Sequence, residues 1–162
     1  MHIFNLTGAE SETRNELLVR LVAVLSQRGL RVSTALSMPG GFDLDKPGKD
    51  SYEHRRAGAR EVALASEQRW ALMSERAGKP DHKSDLASSL SRMSDEVDVL
   101  LLSGFTRIAA QPIVVRDPND GEMAVDQDGH LEHGPEFGLD EAQAIAAFIL
   151  DSTGLADKQS PS

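Results

Sequence analysis

Gly8 and Arg14 bracket the stretch of this chain with the clearest capacity for chemistry. A loop of the form G-x-x-x-x-G-K-[ST], set between a strand and a helix, wraps backbone N–H groups around phosphate oxygens. Its lysine reaches the phosphates and its hydroxyl ligates magnesium. Here Gly8 fills the first position and Ala9-Glu10-Ser11-Glu12 the four variable ones. Thr13 then stands for the second glycine, Arg14 for the lysine and Asn15 for the Ser/Thr. The frame of a phosphate-cradling loop is kept, while three of its four defining residues are replaced. Thr13 is β-branched and resists the positive φ a glycine supplies. Arg14 keeps the charge but is planar and bulkier than a lysine. Asn15 offers an amide where magnesium wants a hydroxyl. Glu10, Glu12 and Glu16 add negative charge where a triphosphate would lie. The bland alternative is a strand and a helix joined by an ordinary turn, since one glycine is a weak motif.

The elements that must position these residues follow from hydrophobic periodicity. His2–Thr7 predicts a strand, Gly8–Thr13 a tight loop, and Arg14–Arg28 a helix closed by Gly29. Leu17, Leu18, Leu21, Val22 and Leu25 make one apolar stripe on that helix. Leu30–Leu36 alternates as a second strand, and a right-handed crossover makes it parallel to the first. Further strands are predicted at Glu61–Ala65, Gln68–Ser74 and Ile113–Arg116, and a short helix at Asp81–Ser91. Val97–Leu102 is the most apolar run and predicts a buried inner strand. A last helix is expected to open at Asp140, with Gln143 completing a capping-box-like start.

Other candidate residues lie between these elements. Two prolines and three glycines make Met38–Ser51 a loop, too rich in charge for a plain connector. Asp43 and Asp45 are two residues apart in it; such pairs are usually solvated or bond their own turn. Lys49, beside Gly48, is the residue there best placed to reach a phosphate. His54 sits on a short helix, Tyr52–Ala57, where a histidine is more often structural, and Arg55 and Arg56 beside it are candidates to hold an anion. His130 and His133 form an H-x-x-H with acids nearby, but the spacing fits a solvated hairpin better than a metal site. After the apolar strand, where a phosphate-binding fold of this kind places an acid, the chain has Ser103-Gly104-Phe105.

The chain resembles the MobB family, small GTP-binding proteins of molybdopterin guanine dinucleotide biosynthesis. The resemblance rests on Phe42-Asp43-Leu44-Asp45-Lys46-Pro47-Gly48-Lys49-Asp50-Ser51 followed by His54-Arg55 and Ala57-Gly58-Ala59. It extends to Arg28–Val32, to Ala65-Ser66 with Arg69–Met73, to Asp98–Phe105 and to the last helix. It implies GTP with magnesium as ligands, and a connection to the molybdopterin cofactor. It also implies work beside MobA, the protein that attaches the guanosine monophosphate, and a dimer, for which the strand bearing the lone Trp70 is a candidate interface. It places Asp43 and Asp45 in a switch-like segment facing phosphate and magnesium. The nucleotide-binding set it implies is Gly8, Arg14, Asn15, Asp43, Asp45, Lys49, His54 and Gly104. Two departures accompany the altered loop. The family pattern before Gly104 is glutamate, here Ser103, and the basic, histidine-rich stretch after the second strand is here Ala35–Gly40.

The whole chain sets bounds on these readings. Its 162 residues suit one domain over residues 1–151 with a polar tail at 152–162. A net charge of −9 argues against nucleic acid and is compatible with a basic protein partner. The absence of cysteine excludes disulfides, thiolate metal sites and cysteine nucleophiles. No apolar run is long enough to cross a membrane, and the expected compartment is the cytoplasm. The expected fold is α/β, a three-layer sandwich of P-loop NTPase type with a mostly parallel sheet. The expected function is that of a MobB-like accessory protein whose GTP binding is weakened or lost, at most a weak GTPase. Two alternatives are a nucleotide-independent scaffold for a MobB paralogue or a molybdoenzyme maturation factor, and an active GTPase with a variant loop.

Overall fold

A computed structural model describes residues 1–38, 44–59, 61–66, 68–74, 90–93, 96–105, 109–116 and 133–155. The expected turn at 117–121, the hairpin at 126–132, nearly all of the helix at 81–91, and Asp43 lie outside these residues. In chain order the described elements are β1 (His2–Gly8), α1 (Ser11–Gln27), β2 (Val32–Leu36), α2 (Asp50–Arg56), β3 (Glu61–Ala65), β4 (Trp70–Ser74), β5 (Val99–Ser103), β6 (Gln111–Arg116), β7 (Glu136–Gly138) and α3 (Ala142–Thr153).

The chain divides into two compact units, residues 1–37 with 82–162, and residues 38–81. The first is built on a five-stranded sheet in the order β2-β5-β1-β6-β7, with every pairing parallel. This confirms the expected α/β class. β5, between β2 and β1, is buried at all five positions, as its apolar run predicts. One sheet face carries Phe4, Leu6, Val99, Leu101, Ile113 and Val115 under α1 and α3. From α1 come Leu17, Leu18, Leu21 and Leu25, the predicted stripe; from α3 come Ile145, Ala146 and Ile149. Each such aliphatic side chain removed from water contributes about 1.5–3 kcal/mol. The other face buries Leu100 and Leu102 beneath Leu90, Met93, Phe105 and Ala110.

The end of α1 is legible bond by bond. Gly29 takes φ +79°, its N–H reaches the Ser26 carbonyl, and the Leu30 N–H reaches the Leu25 carbonyl. This double closure needs a left-handed residue, and it docks Leu30 beside Leu25 in the core. The chain then enters β2 at Arg31, which is fastened to Asp98 at the start of β5 by its backbone N–H (2.9 Å) and by two side-chain hydrogen bonds.

The structure corrects three helix starts, that of α2 among them, which begins at Asp50 rather than Tyr52. α1 begins at Ser11, not Arg14, with Glu10 as its N-cap residue and the Arg14 N–H already bonded to the Glu10 carbonyl. The last helix begins at Ala142, after Glu141 rather than Asp140. Glu141 accepts from the Gly138 N–H, while Asp140 accepts from Arg20 of α1 and Gln143 from Arg28, the residue that caps it. This helix continues through Ser152 and Thr153.

The second unit contains α2 and an antiparallel two-stranded sheet, β3-β4, in register Glu61↔Ser74 to Ala65↔Trp70. Ser66 closes its turn, accepting on Oγ from the Arg69 N–H and bonding the Arg69 carbonyl through its own N–H. Among the described residues, no helix is long and apolar enough to cross a membrane.

Candidate functional site

In an open parallel sheet, ligands bind outside the carboxyl ends of the strands where the order reverses. Here that point is the end of β1, because the chain passes first to β2 on one side and later to β6 on the other. Gly8 ends β1, while Ser103 ends β5 and leads into Gly104. The topology therefore brings Gly8, Ser103 and Gly104 together from sequence positions nearly a hundred residues apart.

Gly8 has a packing reason to be glycine. It takes φ +91°, and a Cβ there would stand under 3.0 Å from the Val115 carbonyl oxygen of β6. That oxygen accepts a 2.9 Å bond from the Ala9 N–H. Only Ala9 and Glu10 separate β1 from α1, so the predicted loop through Thr13 is absent. The physical reason is local. Glu12 places a carboxylate in the first turn of α1, where the helix dipole favours it. Thr13, unlike a glycine, does not interrupt the helix.

Arg14 folds back over this junction. Its Nη1 donates to the Gly8 carbonyl at 3.2 Å and also to the Ala9 carbonyl. Its Nε donates to Ser103 Oγ at 3.3 Å, and Ser103 is buried. Gly104, at φ +78°, turns its open side toward Arg14 Nη2 and Ser37, each 3.5 Å from where a Cβ would be. The Ser37 N–H bonds the Ser103 carbonyl at 2.9 Å, continuing the β2–β5 ladder past the strand ends. Asn5 supports the next residue, its Nδ2 donating to the Phe105 carbonyl at 2.8 Å. Asn15 is exposed on α1. Arg14, Gly8 and Gly104 thus come together, and Asn15 points away to solvent. The residue types at 14 and 103 signalled a changed site; their bond to each other is a tertiary fact.

In the second unit the Asp45 side chain is largely buried and bonds within its own loop, one of the two outcomes expected of it. Its side chain lies 2.9 Å from Arg55 Nε, a close ionic contact not aligned as a hydrogen bond. Ser51 Oγ donates to its other oxygen at 2.8 Å. Arg55, a candidate to hold an anion, is engaged with Asp45. Arg56 lies over the Tyr52 ring, and the Tyr52 hydroxyl raises its pKa. Lys49, the N-cap residue of α2, and His54 are both exposed. Among the described residues no group of three or more His, Asp or Glu side chains is placed to hold a metal.

Residues 3–131 match the family model for molybdopterin guanine dinucleotide synthesis protein B, MobB. A molybdopterin-guanine dinucleotide biosynthesis adapter protein of Escherichia coli is 41% identical over 104 residues, covering 63% of this chain and 58% of that protein. The protein so named in Haemophilus influenzae is 34% identical over 103 residues, covering 64% and 56%. The chain thus spans less than two thirds of the length of these relatives. Among solved structures, a molybdopterin-guanine biosynthesis protein B aligns with TM-score 0.66 at 25% identity, over 94% of this chain and 99% of that one. Bacillus subtilis MobB shares the fold, with TM-score 0.62 at 19% identity over 94% and 98%.

Proposed function

The chain belongs to the MobB family, and from that premise we propose that it is an adapter in molybdopterin guanine dinucleotide biosynthesis that does not rely on GTP held at the end of β1. One observation carries the reading: α1 starts at Ser11, so no loop remains to wrap a phosphate. The residues present do not fit a magnesium–nucleotide group at this point. The Arg14 guanidinium lies where a phosphate would come, Ser103 lacks a carboxylate, and Asn15 is exposed. Each lost charge-assisted contact removes about 1.5–3 kcal/mol, roughly ten- to a hundredfold in affinity.

The adapter acts in the cytoplasm beside a MobA-type guanylyltransferase or a molybdoenzyme maturation factor. It assembles as a homodimer or with a MobB paralogue, and any contact with the molybdopterin cofactor is made within that assembly. The β3-β4 sheet supports an assembly role. A two-stranded sheet is marginal alone in water, no third strand joins it among the described residues, and Leu64 on it is exposed.

A calorimetric titration with GTP and magnesium, run beside capture of a MobA-type protein and light scattering, tests the proposal. The expected results are no saturable GTP heat below about millimolar concentration, capture of the partner, and a dimer. Micromolar GTP binding with multiple turnovers would overturn the nucleotide-independent reading. A monomer that captures neither partner nor paralogue would overturn the adapter reading.

A further inference from the structure

Three of the groups around the Arg14 guanidinium present oxygen to it: the backbone carbonyls of Gly8 and Ala9 and the buried hydroxyl of Ser103. A phosphate cradle has the opposite polarity, since it aims N–H donors at an anion. The inversion follows from local structure. With α1 beginning at Ser11, the first helical hydrogen bond uses the Arg14 N–H. The Ala9 N–H is committed to Val115, and what the junction turns toward Arg14 is its C=O groups.

The guanidinium suits this arrangement better than an ammonium. Its rigid fork bridges two strands at once, Nη1 to the end of β1 and Nε to the end of β5. A lysine head is a point charge on a flexible stem and satisfies one arm at a time. Gly104 lies against the same guanidinium, with Arg14 Nη2 and Ser37 the nearest atoms to its missing Cβ.

We propose that the end of β1 is an oxygen cage specific for guanidinium-type cations, filled by the chain's own Arg14. This rests on reading the β1–α1 junction as a displaced nucleotide site. Arg14 is then an internal ligand, holding the ends of β1 and β5 in register without any nucleotide.

The test is chemical rescue of Arg14→Ala in the full chain, a substitution that keeps helix propensity high. The variant is expected to melt roughly 4–8 °C below the parent. Guanidinium chloride at about 50 mM should restore about 2–4 °C, for a dissociation constant near ~10 mM. Sodium chloride at equal ionic strength should restore nothing. The parent, its cage filled, should gain nothing from guanidinium, and pyrophosphate should stabilise neither protein. Rescue that fails, that equals the effect on the parent, or that pyrophosphate reproduces would overturn the proposal.

If Arg14→Ala does not fold, side-chain NMR of the parent carries the test. The Arg14 Nε–H should exchange slowly with solvent and shift in Ser103→Ala; fast exchange or an unmoved resonance would overturn the cage. Failed rescue without GTP binding leaves the proposed function standing, whereas tight GTP binding by the parent removes its nucleotide-independent reading.

Discussion

Gly8→Ala separates two explanations of the same glycine. A residue kept only for phosphate contact should tolerate a methyl group in the absence of nucleotide. The structure predicts otherwise. At φ +91° an L side chain costs about 1–2 kcal/mol in backbone strain. The added Cβ would also lie under 3.0 Å from the Val115 carbonyl oxygen and 3.2 Å from the Val115 carbonyl carbon and nitrogen. These are backbone atoms of β6 and cannot swing aside as a flexible side chain would. Relieving the overlap forces β1 and β6 apart, about 1–3 kcal/mol for overpacking of this kind. It also weakens the 2.9 Å bond from Ala9 to Val115, worth about 1 kcal/mol. The lower entropy of the unfolded alanine chain returns ~0.4–1 kcal/mol. The net loss is about 2–5 kcal/mol, a large part of the roughly 5–15 kcal/mol that stabilises a domain. At ~2–4 °C per kcal/mol for a chain of this size, the melting temperature should fall by about 5–20 °C. Thermal and denaturant melts followed by circular dichroism, without nucleotide, make the measurement. A melting temperature within about 1 °C of the parent would refute the packing argument and return Gly8 to a role in binding alone.

Two further outcomes follow from burial and pairing. Leu101→Ala empties a fully buried position under α1 and α3 and should cost about 2–5 kcal/mol by denaturant midpoint, while Val19→Ala on the exposed side of α1 should stay within about 0.5 kcal/mol. Asp45→Ala removes the acceptor of Ser51 and the carboxylate beside Arg55, and hydrogen exchange across α2 should show a local loss of about 1–3 kcal/mol; Lys49→Ala and His54→Ala, both exposed, should leave exchange unchanged and weaken capture of the partner, and the reverse pattern would make those two residues structural.

Much of the fold could be read from local pattern. The stripe Leu17, Leu18, Leu21 and Leu25 needs only the period of a helix to predict which side is buried. Val99–Ser103 needs only its unbroken apolar character to predict a strand covered on both faces. Gly29 stops α1 because the closing hydrogen bonds are local and demand a left-handed residue. The candidate site was legible as a damaged phosphate loop, because the motif is a matter of residue types at fixed spacing.

Its geometry was not legible, because the contacts that fix Gly8 and Ser103 join distant segments. Nothing near Gly8 in sequence shows that Val115 will press on it, and nothing near Arg14 shows that Ser103 will accept its Nε–H. Matching the motif drew the loop out to Thr13, whereas the helix starts at Ser11, with Glu12 favoured in its first turn and Thr13 not interrupting it. β7 has only three residues, too few to show a period, and is defined by pairing with β6. The burial of the Asp45 side chain was not legible, because the cation beside it, Arg55, lies ten residues further along the chain. Periodicity reports which residues avoid water; only the packed structure decides which oxygen meets which charge, because that depends on strand order and register across the sheet.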